Sequence, residues 1–301
     1  MSVSRRIFIR NSSLALTGSV FLNKRAFSIE TPEVLGIQLY SVREAMLKNP
    51  LDTLKQLSSM GYKYVEHANY INRKFYGYSA KEFKSVLNGL DLKMPSGHTV
   101  MNKTHWDDSK KDFTDLWKNT VEDAAVLGQQ YVISPWMDAD FRKTYDDFMK
   151  LMDIFNKSGE LCKKNGMKFG YHNHDFEFSE ELNGAPLYDL ILKNTDPDLV
   201  IQQLDMGNLY NGGAKALDIV KKYPGRFQSL HVKDEILSEK GNEKYESCIL
   251  GQGVVNVKEL LGLIKKDSKK VHYIIEQESY QGKDPVDCAR EDLAIMKKWG
   301  Y

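Results

Sequence analysis

The chain of 301 residues is short of cysteine. Its three, Cys162, Cys248 and Cys288, are far apart and share no Cys-x-x-Cys spacing. That excludes a zinc ribbon and a thioredoxin-type redox site, and an odd count leaves at least one thiol free, so one disulfide at most can form. Cys162 falls on the apolar stripe of a helical pattern and reads as packing. Net charge is also scarce. The 42 Lys and Arg nearly cancel the 41 Asp and Glu, leaving +1, and no block of one sign stands out. Such a balance gives no electrostatic reason to expect nucleic acid or an anionic membrane as a partner. After the N-terminus, no stretch approaches the ~20 apolar residues that a membrane span needs. No Gly-x-Gly-x-x-Gly follows the first strand pattern, which removes the main dinucleotide-binding reading.

What is present is an ordinary globular composition, 42% hydrophobic and 28% charged. Its N-terminus stands apart. Ser4-Arg5-Arg6-Ile7-Phe8-Ile9-Arg10 precedes a modest apolar run from Leu14 to Leu22, interrupted by Asn23-Lys24-Arg25. The arginine pair, the aromatic after it and the weak apolar run predict a twin-arginine export signal over residues 1–28, with Ala26 and Ser28 as the small residues before the cut. No cysteine follows the run, so a lipid anchor is not expected. The expected location is periplasmic or secreted. Residues 29–301 then form one catalytic domain of roughly 270 residues, near the usual size of a (β/α)8 barrel.

Over this region a short apolar strand followed by an amphipathic helix repeats eight times. The predicted strands are 34–40, 63–67, 92–98, 131–135, 168–174, 199–205, 227–233 and 271–276. Asn49-Pro50 and Asp284-Pro285 read as helix starts, and Ser79 with Glu82 reads as a capping box. Gly61, Gly128 and Gly166 sit where helices should stop. Phe148, Leu151, Met152 and Phe155 recur at helical spacing and predict one buried face. Regular alternation without a composition break favours a closed α/β barrel, the (β/α)8 TIM barrel, over an open sheet. The longest irregular stretch, 234–255, reads as a functional loop, often a lid.

The chemistry lies at the strand ends. Residues two apart share a strand face. Taken from the C-terminal end, the eight strands offer Gln38 and Tyr40; Glu66; Ser96 and His98; Ser134 and Trp136; His172 and His174; Gln203 and Asp205; His231 and Lys233; Glu276 and Glu278. In mid-strand these groups would be buried without partners, at a cost of kilocalories each. At the C-terminal mouth of a barrel they converge on one pocket, where active sites of this fold sit. Asp205, His231, Glu276 and one of His172 or His174 make a four-ligand imidazole and carboxylate set, suited to one divalent ion of Mn, Co, Zn, Fe or Mg. Ligands on four consecutive strands leave the other side open for substrate, as Lewis-acid catalysis requires. Glu276, Glu66 and His174 are the candidate bases, and Lys233 or His98 the acid partner. Gln38, Tyr40, His98, Trp136, Asn208 and Glu278 are the candidate substrate contacts.

The segments 36–43, 61–66, 170–178, 204–208, 230–234 and 275–278 resemble the sugar phosphate isomerase/epimerase family, within the xylose isomerase-like barrel superfamily. The resemblance covers essentially everything after residue 33. It implies one divalent metal held by Glu, Asp, His and Glu from strands 5 to 8. Asp205, His231 and Glu276 match that set, whereas the strand-5 position carries His172. In the epimerases the two metal-bound glutamates are also the paired acid and base, so this departure favours one-base chemistry: isomerisation, dehydration, or β-elimination from a 3-keto sugar or glycoside. The usual arginine after the strand-7 histidine is replaced by Lys233. Endonuclease IV-like members use three metals, but the chain lacks the basic surface that DNA binding needs. The resemblance implies a metal-dependent sugar isomerase or epimerase acting through an enediolate. A lyase and a non-catalytic sugar-binding barrel are the alternatives. The expected partner is a small sugar or glycoside, and a homodimer is a common state of such barrels.

Overall fold

The eight apolar runs form eight parallel strands in the computed structural model, which describes residues 34–239, 243–267 and 270–301. They are β1 Val34–Gln38, β2 Tyr64–His67, β3 Lys93–His98, β4 Tyr131–Ser134, β5 Lys168–His172, β6 Val200–Asp205, β7 Phe227–Val232 and β8 His272–Ile275. Each pairs with its sequence neighbour, and β8 returns to β1 to close the barrel. The residues 1–28, expected to be an export signal, lie outside those described. Among the described residues no helix is long and apolar enough to cross a membrane.

Eight main helices cover the outside: α1 Pro50–Met60, α2 Ala80–Gly89, α3 Asp115–Leu127, α4 Tyr145–Lys164, α5 Leu187–Asn194, α6 Ala216–Lys222, α7 Val257–Asp267 and α8 Pro285–Trp299. Their ends follow from local chemistry. The Asn49 side chain accepts from the Asp52 backbone N–H ahead of Pro50, and Ser79 and Glu82 cap each other reciprocally. Gly61 and Gly128 end α1 and α3 at φ 103° and 88°, a region that penalises any side chain with a Cβ. Phe148, Leu151, Met152 and Phe155 are all buried on one face of α4. The three cysteines are free and buried, so no disulfide forms among them.

The register decides which residues point into the barrel. Gln38 lies beside Glu66, Glu66 beside Ser96, His172 beside Gln203, and Asp205 beside His231. On β4 the sequence phase is one residue off. Ile133, not Ser134, pairs with His98 and Gly170 and takes the inward place. The Ser134 hydroxyl instead accepts from the Met101 backbone N–H at 3.0 Å. Gly170 makes room in the same layer: a Cβ there would come within 2.9 Å of Ile133 and 3.0 Å of Ile201.

The stretch 234–255 also departs from its reading as an irregular loop. Asp234–Leu237 pairs antiparallel with Tyr245–Cys248. The Asp234 carboxylate roots this hairpin, accepting from the backbone N–H groups of Glu235, Gly251, Gly253 and Val255 at 2.8–3.1 Å. The polar, Gly-rich composition masked a short strand pair whose anchor is a side chain rather than an apolar face.

Candidate metal centre and active-site cavity

Four consecutive strands deliver one cluster at the C-terminal mouth. His172 ends β5, Asp205 ends β6, His231 lies one residue before the end of β7, and Glu276 follows β8. All four are buried, and one ligand atom from each lies within 4.8 Å of the others. His174, the alternative strand-5 ligand, is outside that group.

The surroundings orient these donors. Asn173 Oδ1 accepts from the Asp205 backbone N–H at 2.9 Å. Asp205 Oδ1 accepts from the N–H groups of Gly207 and Asn208 at 2.8 and 2.7 Å. Its Oδ2 has no hydrogen bond, although it is buried. Its nearest cation is Lys233 Nζ at 3.4 Å, and it faces His231 Nδ1 at 3.8 Å and His172 Nε2 at 4.0 Å. The donor set therefore fits a divalent cation: two imidazoles and two carboxylates, one of whose buried oxygens makes no hydrogen bond, brought within reach of one another.

Tautomers follow from the layer beneath. The Gln203 amide donates to Glu66 Oε2 and to the Ser229 hydroxyl, both at 3.0 Å. Its Oε1 must then accept, from His172 Nδ1 at 3.1 Å and His98 Nε2 at 2.7 Å. A protonated Nδ1 leaves the His172 Nε2 lone pair facing the cluster. His231 Nε2 reaches Glu66 Oε1 at 2.6 Å, which turns Nδ1 toward Glu276 Oε2 at 2.9 Å. A carboxylate behind a ligand imidazole is the usual outer support of a metal histidine.

Charges in the cluster are mutually dependent. Burial opposes the charged form of His231, but Glu276 and Glu66 outweigh it and raise its pKa to about 10. Burial pushes Glu66 up, yet His98 and His231 bring it down to about 2. Burial raises Asp205 to about 6 against the pull of Lys233. Burial, helped by Lys233, lowers His174 to about 3, so it is a neutral imidazole near pH 7.

A cavity of about 610 Å³ opens above the cluster. His172 and Glu276 reach it from below, and Tyr40, His98, Trp136, His174, Asn208 and Glu278 line it. Three expectations need correcting. Gln38, expected to touch substrate, is fully buried and donates to Glu66 Oε1 at 2.9 Å. Glu66, expected as a base, lies beneath the cavity with its carboxylate engaged by Gln38, Ser96, Gln203 and His231. Lys233 is fully buried as well, with Nζ 2.8 Å from Glu278, 3.1 Å from Glu276, 3.4 Å from Asp205 and 2.9 Å from Asn208 Oδ1. It is committed to carboxylates rather than open to the cavity.

Sequence reasoning gave no role to Gln203, although it shares a strand face with Asp205 and the spacing made that legible. Glu177 lies beyond the strand-end pattern and also supports the site. Glu177 is buried, accepts from the Tyr171 hydroxyl and from the His174 backbone N–H at 2.9 Å, and so fixes the turn that carries His174.

Fold and site together define a (β/α)8 barrel with a mixed imidazole and carboxylate centre at its C-terminal mouth. Residues 54–299 match the xylose isomerase-like TIM barrel family, and the chain belongs to it. An inosose dehydratase of Clostridium perfringens is 30% identical over 173 residues, 56% of each protein. The chain thus spans a little over half the length of the curated relatives it matches. A sugar phosphate isomerase/epimerase from Parabacteroides distasonis superposes with a TM-score of 0.75 at 25% identity, over 90% of this chain and 95% of that one. A xylose isomerase-like barrel from Mycobacterium smegmatis, solved in complex with magnesium, superposes with a TM-score of 0.62 at 15% identity, over 89% and 96%. At that distance the likeness speaks for the fold.

Proposed function

We propose that this protein is a divalent-metal-dependent enzyme that removes a proton next to the carbonyl of a keto sugar. The observation that carries the reading is the buried cluster of His172, Asp205, His231 and Glu276, with Asp205 Oδ2 making no hydrogen bond among the other donors. A divalent ion held by these four residues supplies Lewis-acid stabilisation of the negative charge that develops on the substrate oxygens. The metals named in related proteins, magnesium among them, support such an ion without identifying it. His174 and Glu276 are the base candidates, because both line the cavity. Burial and Lys233 hold the His174 ring neutral, which leaves it a lone pair but makes it the weaker proton acceptor near pH 7. His98 and Glu278 line the same wall and can hold or return a proton at a substrate hydroxyl. Glu66, Gln38 and Gln203 act from beneath by fixing the two ligand imidazoles.

A lyase is the second reading. His172 stands where paired-glutamate epimerases carry a carboxylate, so one base and one acid face the sugar. That suits loss of water or of a leaving group, and the relative named inosose dehydratase supports it. The arginine pair and apolar run before residue 28 support an exported enzyme, which would meet unphosphorylated sugars or glycosides.

The test is metal content and keto-sugar turnover of the purified protein beside His172→Ala and Asp205→Ala. About one divalent ion per chain, lost in both variants together with turnover, is the expected result. Wild-type turnover that survives metal removal would overturn the reading. Products run in deuterated water separate the two chemistries: label retained on carbon marks isomerisation or epimerisation, and loss of water or alcohol marks a lyase.

A further inference from the structure

The cavity is larger and less polar than a single sugar ring requires. Its volume, about 610 Å³, lies within the range of pockets that enclose drug-sized, multi-ring ligands. The inner end holds His172, His174, Glu276 and Glu278. Other walls carry Tyr40, Ile71, Leu116 and Trp136, which keep 42%, 61%, 57% and 38% of their surface exposed. Among the described residues only seven large hydrophobic side chains are that exposed, and four of them line this one cavity. Singly exposed apolar groups are ordinary, but several gathered around one concavity mark a ligand contact. Trp136 links the two regions. Its ring packs edge-on against His174 at 5.0 Å, and His174 packs against His172 at 5.2 Å.

Charge narrows the ligand further. Among the described residues Arg73 is the one Lys or Arg in the lining, and its guanidinium is already held by both oxygens of Asp123, at 2.8 and 3.0 Å. The Tyr70 hydroxyl donates to the same carboxylate at 2.7 Å. Among the described residues the wall therefore offers no Lys or Arg free of a carboxylate partner for a phosphate. Asn69 and Asn119 add side-chain amides suited to hydroxyl groups.

We infer that the substrate is a neutral keto-glycoside, a keto sugar seated at the donor cluster and carrying a second ring whose apolar face lies against Trp136, Ile71 and Leu116. This rests on the metal-enzyme reading for the sugar end only. An aromatic aglycone and a second sugar share the required chemistry, and the experiment separates them.

The full-length protein, loaded with Mn²⁺, is titrated calorimetrically with methyl glucoside, phenyl glucoside, cellobiose and glucose 6-phosphate, and with the matching galactosides. The phenyl glycoside, the disaccharide or both bind at least tenfold more tightly than the methyl glycoside, and glucose 6-phosphate binds no more tightly than it. Which of the two leads identifies the second ring. Ile71→Ser with Leu116→Ser, both at exposed positions, brings the tighter ligand down to the methyl glycoside's affinity. Equal affinities, a preference that survives the double variant, binding by none of the probes, or tightest binding of glucose 6-phosphate would each overturn the inference. Keto-sugar turnover without a second-ring preference defeats this inference alone. A second-ring preference in a protein that neither binds metal nor turns over keto sugars defeats the metal-enzyme reading and leaves the subsite standing.

Discussion

His231 Nδ1 lies 2.9 Å from Glu276 Oε2 inside the barrel, while the opposite ring nitrogen is held 2.6 Å from Glu66. A hydrogen shared along the first contact does in the metal-free protein what a cation does in a metal site: it joins an imidazole to a carboxylate. The two therefore compete for the same lone pair.

The competition predicts proton release. His231, raised to about 10, is protonated at neutral pH in the absence of metal. Metal binding needs the Nδ1 lone pair, so about one proton should leave per ion bound at pH 7. Apparent affinity for Mn²⁺ or Zn²⁺ should rise with pH, by up to about tenfold per unit, until His231 titrates. Calorimetry in two buffers of different ionisation enthalpy measures the release directly. Identical heats in both buffers would refute the exchange.

Glu66→Gln separates a supporting role from a catalytic one. The variant weakens the acceptor behind His231 Nε2 and sets an amide against donors from Gln203 and Gln38. Loss of such a support typically lowers metal affinity about 10–100-fold. Turnover should recover when excess metal is supplied. A deficit in kcat that excess metal does not repair would return Glu66 to the list of bases.

Much of this was legible in the chain. The eight-fold alternation specifies the barrel, and period-two spacing at the strand ends brings Asp205, His231, Glu276 and His172 to one mouth. What escaped has physical causes. A strand pattern gives the phase but not the depth, so Gln38 reads as a substrate contact and Glu66 as a base when both lie one layer beneath. The β4 phase slipped because Ile133 and Ser134 are both plausible ends of a short apolar run, and only pairing with β3 and β5 decides. The Ile71 and Leu116 walls come from a hairpin and a helix start between strands, whose folding back over the barrel mouth no local periodicity reveals. That His172 rather than His174 joins the cluster follows from the distances between ligand atoms, which spacing along the strand does not give.

Glu177 predicts a pH-dependent stability difference. Burial raises its pKa from an ordinary 4.5 to about 7. A carboxyl whose folded pKa is raised contributes stability that is full below its unfolded value, near 4.5, and is lost as pH rises through about 7. Glu177→Gln removes that dependence but weakens the hold on Tyr171 and His174. The variant should melt below wild type at pH 5, and the gap should shrink or reverse by pH 8. Melting curves that stay parallel across this range would show that Glu177 is not titrating in the folded protein.

Lys233→Met tests the buried cation. Its ammonium lies within 3.4 Å of carboxylate oxygens from Asp205, Glu276 and Glu278, and it is fully buried. Removing one partner of a buried ionic group costs about 3–5 kcal/mol, because the remaining charges lose their compensation. In the metal-free state Lys233→Met should therefore melt well below wild type. Asp205 and Glu276 are also in the donor cluster, so a bound divalent ion replaces part of the lost positive charge. Adding Mn²⁺ should then raise the melting temperature of the variant by more than it raises that of wild type. Equal increments in the two proteins would mean that the lysine and the metal do not neutralise the same carboxylates, and that Lys233 acts through Glu278 alone.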